Sequence, residues 1–203
     1  MSVAPLSPET IRRLRELNDR FTDIGAAERA NYQIYLTELC EAISVEKPRP
    51  AAASAGRVAE STNYQFEFPV QTTTRDGVVS TNFIDLFKAG CFALEAKDSI
   101  DGASTTKLLT KAFGQVVNYA RDLAERPPYI MVLDVGKSLT LWDRWQGTYG
   151  GYHLGTRMDL RTLADRPDDV ALLRDIWNEP SRRDPRRHAQ AITVEIAALL
   201  GEL

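Results

Sequence analysis

Cysteine and histidine are scarce in this chain of 203 residues: two of each occur. Cys40 falls within a helical pattern and Cys91 at a strand start, which suits reduced thiols and excludes a disulfide framework. No pair of these residues has zinc-ligand spacing, and His153 and His188 stand alone. No apolar run approaches the ~18 residues of a membrane span, and the start, "MSVAPLSPETIRRLRELNDR", lacks the basic segment and apolar core of a secretory signal. A cytoplasmic protein without a membrane partner is expected. A surplus of positive charge is also missing. The net charge is −3, so the chain is not built to hold a polyanion by electrostatics alone, because phosphate affinity comes mainly from lysine and arginine releasing counterions. There is no internal repeat and no low-complexity tract. What remains, 43% hydrophobic and 26% charged residues, is the composition of an ordinary globular chain.

The elements are marked by periodicity and punctuation. Ser7 is a candidate N-cap, Pro8 suits the first helical position, and Ile11, Leu14, Leu17 and Phe21 follow at helical spacing; the helix is expected to end near Arg20. In "AAERANYQIYLTELCEAI", Tyr32, Tyr35, Leu36, Leu39, Cys40 and Ile43 share one helical face, with Glu28 one turn before Tyr32 on that face. Residues 47–57, "KPRPAAASAGR", read as a loop, and "YQFEFPV" as a strand. "FIDLFKAGCFALEAKDS", residues 83–99, supplies two strands around a turn. A long helix is predicted from Ser104 to Ala124, closed by "ERPP". "YIMVLDV" reads as a strand covered on both faces, "SLTLWDRW" as its partner, "QGTYGGYHLG" as a glycine-rich loop, and two helices follow, near residues 167–178 and from Asp184 with Pro185 in its first turn. This order implies an α/β fold, a mixed sheet with helices against it.

Within the predicted hairpin three charges interrupt an apolar pattern. Alternation places Cys91, Ala93, Glu95 and Lys97 on one strand face and Phe92, Leu94 and Ala96 on the other. A turn centred on Ala89 puts Asp85 opposite Ala93, with Glu95 as its diagonal neighbour at roughly 7–8 Å. Two carboxylates there can converge on one small ion. Without soft ligands nearby, such a pair selects Mg²⁺ or Mn²⁺, and a lysine beside it can steady an attacking water or the charge developing on a phosphate. A second reading stays open from spacing alone, in which Glu95 and Lys97 form a salt bridge on a solvated face and Asp85 ends its strand. Against it, both acids sit between large apolar residues, where a carboxylate is costly unless paired or bound to metal.

These residues resemble the core of the PD-(D/E)xK phosphodiesterases: an acid, a spacer, then acid-x-lysine on the next strand, here Asp85 and Glu95-Ala96-Lys97. On the following helix Gln115 and Tyr119 match the glutamine-x-x-x-tyrosine element of RecB-like members, and Glu28 is similar to the glutamate that some members bring to the metal from the helix before the sheet. The blocks "ELCEAISVEKPRP", "DLFKAGCFALEAKDS", "RPPYIMVLDVG" and "LRDIWNEPSRRDP" resemble the amino-terminal region of type IIG or IIL restriction-modification enzymes, from about Gly25 onward. The resemblance implies a restriction-endonuclease-like core in residues 25–160, a helical extension in 1–24, and a helical segment in 161–203 leading to an adenine-specific methyltransferase outside this chain.

It also implies a Mg²⁺-dependent endodeoxyribonuclease acting on double-stranded DNA, with Mn²⁺ as a substitute. Asp85, Glu95 and Glu28 would hold the metal, and Lys97, Gln115 and Tyr119 would complete the site. S-adenosylmethionine would serve only the methyltransferase, which with a target-recognition domain would supply most of the DNA affinity. Two nuclease domains would pair transiently on DNA. Where the family often has glutamine after the lysine, this chain has Asp98. The competing expectation is a nuclease-like module that no longer cuts and docks or clamps DNA for its methyltransferase.

Other residues invite either function or packing. Gln115 and Tyr119 also fit a plain helix, the ring in the core and the amide on a loop. Lys107, Lys111 and Arg121 lie on the same helix, and "SRRDPRRH", residues 181–188, is the one dense basic cluster; both fit a solvated face or phosphate contacts. Trp142, Trp145, Tyr149 and Tyr152 fit hairpin packing or base stacking.

Overall fold

The computed structural model describes residues 3–22, 28–50, 63–73, 76–97, 99, 105–145, 151–187, 189, 190 and 193. Helix α1 spans Pro8–Thr22, two residues beyond the expected end, and Ser7 caps it, its Oγ accepting the Thr10 N–H at 3.2 Å. Helix α2 spans Glu28–Ala42, and the apolar stripe from Tyr32 to Ile43 is buried throughout. Residues 51–57 of the expected loop lie outside the described residues.

The strands are β1 (Tyr64–Thr73), β2 (Val79–Lys88), β3 (Phe92–Lys97), β4 (Tyr129–Asp134), β5 (Ser138–Asp143) and β6 (His153–Asp159), with helix α3 (Thr105–Arg121) between β3 and β4 and helix α4 (Pro167–Asn178) after β6. They form one six-stranded sheet in sequence order. The β3–β4 pair is parallel and the other neighbours are antiparallel. Two antiparallel meanders are thus joined by a crossover whose helix, α3, must lie on the sheet. Short 3₁₀ turns occupy Leu160–Asp165 and Pro180–Arg183, and residues 185–187 are helical, as Pro185 suggests.

Each face of the sheet has its own core. One is built by α1, α2 and α4 against Phe92, Leu94, Ala96, Met131, Leu133, Leu139 and Met158. The other lies under α3, where Val116 and Ala120 meet Ala93 and Ile130, and Leu109 and Ala112 meet Val132. The "YIMVLD" strand is buried along its whole length, as a central strand covered on both faces requires. Trp177 anchors the larger core, fully buried, with its Nε1 donating to Tyr64 Oη at 2.8 Å.

Three sequence expectations are corrected. The glycine-rich stretch taken as a loop contains the start of β6, an edge strand in which His153 and Leu154 pair with Asp143 and Trp142 of β5 and Gly155 falls at a shift of register. The long helix ends at Arg121 instead of Ala124. The β2–β3 turn centres on Gly90 instead of Ala89: Lys88 pairs with Phe92 and Leu86 with Leu94. Gly90 has φ 69°, a left-handed conformation that glycine adopts without steric cost and alanine does not. The shift of one residue moves Asp85 from opposite Ala93 to opposite Glu95.

Candidate active site

The charged residues of the hairpin meet where β2 and β3 part. The paired residues end at Leu86 and Leu94, after which β3 continues beside β4 alone. Beyond that point the Asp85 side chain replaces a strand: its Oδ2 accepts the Ala96 N–H at 2.7 Å. Glu95, next along β3 and opposite Asp85 by register, is 1% exposed. Its Oε1 accepts from Lys97 Nζ at 2.9 Å. Glu95 and Lys97 share the face toward α3, as alternation requires, while Phe92, Leu94 and Ala96 enter the opposite core.

A buried ion pair is weak evidence for stability, because desolvation offsets much of the attraction and an apolar pair of similar volume does as well or better. A carboxylate held in so enclosed a place is therefore a mark of a site more than of a scaffold. Here it borders a pocket of about 350 Å³. Asp85, Glu95 and Lys97 form its floor, Gln115 and Tyr119 line it from α3, Tyr32 from α2, and Glu67, Thr81, Asn82 and Phe83 from the β1–β2 hairpin.

The structure thus brings Asp85, Glu95, Lys97, Gln115 and Tyr119 to one pocket. Gln115 and Tyr119 share it because they lie one turn apart on α3, flanking Val116 and Ala120, which seat the helix on the sheet. Tyr119 Oη donates to Asn82 Oδ1 at 3.4 Å, and Asn82 Nδ2 donates to Thr72 Oγ1 at 2.6 Å, so α3 is tied to the hairpin. Glu28 opens α2, but its side chain, like Asp98, lies outside the described residues.

Glu67, Tyr32 and Asn82 are pocket residues that sequence reasoning missed. Glu67 lies opposite Asp85, between the Phe66–Leu86 and Phe68–Ile84 partners, and has φ 49°. At this level both strands change side: Phe66 and Leu86 belong to the core under α1, α2 and α4, whereas Phe68 and Ile84 belong to the core under α3. Tyr32 Oη donates to Glu67 Oε1 at 2.7 Å and accepts from Gln33 Nε2 at 3.1 Å. Burial, the Glu67 carboxylate and the charge of Asp85 push the Tyr32 hydroxyl well above the ordinary tyrosine range, so it stays a donor. An acid between Phe66 and Phe68 is the same signal that singled out Asp85; nothing in the sequence announces its left-handed backbone.

As a metal site, the donor set is hard: carboxylate oxygens from Asp85 and Glu95, with no sulfur or imidazole lining the pocket among the described residues. Among the described residues no three His, Cys, Asp or Glu side chains converge as metal ligands. Two carboxylates and room for water fit Mg²⁺ or Mn²⁺, which keep several waters and take one or two carboxylates together with substrate phosphate.

Other candidates resolve into packing. Trp142 stacks on Phe113 with ring centres 4.4 Å apart. Trp145 Nε1 donates to Tyr129 Oη at 3.3 Å, and Tyr152 Oη donates to the Pro127 carbonyl at 2.7 Å; Tyr149 lies outside the described residues. The arginines of the basic cluster are met by acids: Arg182 and Arg187 by Glu179, Arg183 by Asp175, Arg186 by Asp184. Lys107, Lys111 and Arg121 are exposed on α3. His153 is an exposed edge-strand residue, and His188 lies outside the described residues. Cys40 and Cys91 are free and buried. No helix among the described residues is long and apolar enough to cross a membrane.

A mixed six-stranded sheet flanked by helices, with two carboxylates and a lysine gathered where two strands part, defines an α/β domain with an acidic pocket. The chain belongs to the family described as MmeI, N-terminal domain, whose model matches residues 11–203. It is thus the amino-terminal domain type of a restriction-modification enzyme family, as its sequence blocks suggest. No curated protein and no solved structure matches the chain.

Proposed function

We propose that this domain is a Mg²⁺-dependent endodeoxyribonuclease with a PD-(D/E)xK core, the restriction module of a type IIG or IIL restriction-modification polypeptide. The observation that carries this reading is the buried Glu95, ion-paired to Lys97 and facing Asp85 in a pocket shared with Gln115 and Tyr119, in a member of this family. Asp85 and Glu95 would hold the cation, with Glu28 as an additional ligand. When bound, the cation supplies Lewis-acid polarisation of a phosphoryl oxygen and a lowered pKa for a coordinated water.

The chain's own residues do the rest. The Ala96 N–H fixes the orientation of the Asp85 carboxylate at the pocket. Lys97, oriented by Glu95 Oε1, presents its ammonium group to the attacking water or to the charge developing on phosphorus. Gln115 reaches the same space with an amide, and Tyr119 braces α3 on the hairpin through Asn82. The water oxygen bonds to phosphorus and gives up a proton to solvent, one ester P–O bond breaks, and the departing sugar oxygen takes a proton from solvent.

Double-stranded DNA is the substrate in this reading. The methyltransferase, with its S-adenosylmethionine, and the target-recognition domain belong to the same cytoplasmic polypeptide, and two nuclease domains pair transiently to cut both strands. Incubating unmethylated duplex DNA with the enzyme that carries this domain tests the proposal. Cleavage in Mg²⁺ or Mn²⁺ that stops in chelator is expected; intact DNA under every metal condition overturns it in favour of a docking module.

A further inference from the structure

Three acids stand in a row where the sheet opens. Glu67 on β1 lies opposite Asp85 on β2 by register, and Asp85 lies opposite Glu95 on β3, so Glu67 is one strand from Asp85 and two from Glu95. All three line the pocket. With strands about 4.8 Å apart, the backbones of the outer two are separated by roughly 10 Å or more. Asp85 and Glu95 supply the hard donors for a cation, but Glu67 does not join them, since no three acids among the described residues converge as metal ligands. Glu67 therefore stands beside the place of the cation and not at it.

Tyr32 holds this third carboxylate. The Tyr32 ring is 1% exposed in the core under α1, α2 and α4, edge-on to Phe66 with ring centres 6.0 Å apart, and only its far end borders the pocket. Gln33 Nε2 donates to Tyr32 Oη at 3.1 Å, and Oη donates to Glu67 Oε1 at 2.7 Å, so the one hydroxyl hydrogen is committed to the carboxylate. No other donor among the described residues bonds the Glu67 carboxylate. The backbone gives no reason for an acid here: glycine takes φ 49° without strain and glutamate does not. What residue 67 adds over glycine is the carboxylate itself. A carboxylate next to a hard cation, yet outside its ligands, meets the waters that such a cation keeps, and groups so placed orient what the ligands hold.

We infer, on the nuclease reading, that Glu67 is a further catalytic residue, which accepts a hydrogen bond from the attacking water and so aims its oxygen at phosphorus. Tyr32 is a positioning residue that holds Glu67 in that pose. Lys97 offers a donor from β3 and Glu67 an acceptor from β1, on either side of Asp85. No bond and no proton transfer is added to the step; the approach of the nucleophile is fixed, where a misplacement of about 1 Å costs on the order of a hundredfold in rate.

Cleavage of unmethylated duplex DNA by the full-length enzyme with Glu67→Gln, with Tyr32→Phe and with both tests it. Glutamine keeps an acceptor for Tyr32 but turns an N–H₂ donor toward the water. Glu67→Gln is expected to lower the rate at saturating DNA by about ten- to hundredfold, with the half-saturating DNA concentration and the unfolding midpoint unchanged. Tyr32→Phe is expected to lower the rate about tenfold, and to add nothing to the loss in Glu67→Gln. Water-proton relaxation by Mn²⁺ bound to the enzyme gives a readout apart from cleavage: Glu67→Ala is expected to leave the number of waters on the ion unchanged. Cleavage at the parent rate in Glu67→Gln, where Lys97→Ala does not cut, overturns the role of Glu67 and leaves the nuclease reading. Additive losses overturn the role of Tyr32, and an extra water on the ion in Glu67→Ala makes Glu67 a ligand and overturns the inference. A parent enzyme that cuts under no metal condition removes the nuclease reading and the role of Glu67 with it.

Discussion

At Glu67 a residue with a full side chain takes a left-handed backbone, φ 49°, inside a strand. That conformation costs an L-residue roughly 1–2 kcal/mol, and such strain persists where the surroundings over-determine it, often at functional sites. The surroundings here are the opposing Asp85 and the Tyr32 hydroxyl. In an ordinary strand glycine is less favourable than alanine by roughly 0.5–1 kcal/mol. At position 67 the order should invert: Glu67→Ala loses the hydrogen bond and keeps the strain, whereas Glu67→Gly loses the bond and relieves it. Denaturant unfolding should find Glu67→Gly more stable than Glu67→Ala by about 1 kcal/mol, and the usual order would show that the backbone there is unstrained. Cleavage should fall in both variants. Asp85, Glu95 and Lys97 were legible as a group from alternation, but their register was not. The side chains in "FKAGC" do not say which residue centres the turn, and it is the left-handed φ of Gly90 that sets Asp85 opposite Glu95.

Among the elements, the β4–β5 turn packs closely against α1. Gly136 has φ 70°, and a Cβ there would meet the Phe21 carbonyl oxygen at 2.8 Å and Phe21 Cβ at 3.2 Å, so the end of α1 lies directly on this turn. Gly136→Ala combines left-handed strain with a backbone clash and should lower stability by about 2 kcal/mol or more, read as a shift in denaturant midpoint. On the other flank of that core, Trp177→Ala removes a fully buried ring and leaves the Tyr64 hydroxyl without its 2.8 Å donor. A loss of about 3–5 kcal/mol is expected in the same measurement. Helices α1 to α4 and strands β1 to β5 were legible because each buries a face that repeats at 3.6 or 2 residues or, like β4, an unbroken apolar run. Strand β6 was not. It is an edge strand whose only buried residue is Met158, so it needs no apolar alternation, and the glycines before it read as loop. The meeting of α2 with the β1–β2 hairpin through Tyr32 and Glu67 was hidden for a related reason: Tyr32 sits in the apolar stripe of α2, and only its hydroxyl reaches the pocket.

For the whole molecule, buried acids of high pKa set the alkaline limit of stability. Burial pushes the Cys40 thiol up to about 11 and the Tyr152 hydroxyl up to about 12. The folded state therefore holds protons that the unfolded state has released. Their contribution is fully present below the unfolded values, near 9 for the thiol and 10 for the phenol, and is lost as pH rises toward 11 and 12. Stability should be level with respect to these groups up to about pH 9 and fall above it, and both thiols should resist labelling in the native protein at neutral pH. A flat profile to pH 12 would contradict their burial. At this scale the sequence blocks identified the family, while the pocket where β2 and β3 part needed the sheet register to be seen. The nuclease reading stands on Lys97, and the direct measurement is metal-dependent cleavage of unmethylated duplex DNA by the full-length enzyme with and without Lys97→Ala. The account predicts a loss of at least about a hundredfold in cleavage rate with methylation by the same polypeptide unchanged. Cleavage at the parent rate in Lys97→Ala would contradict it.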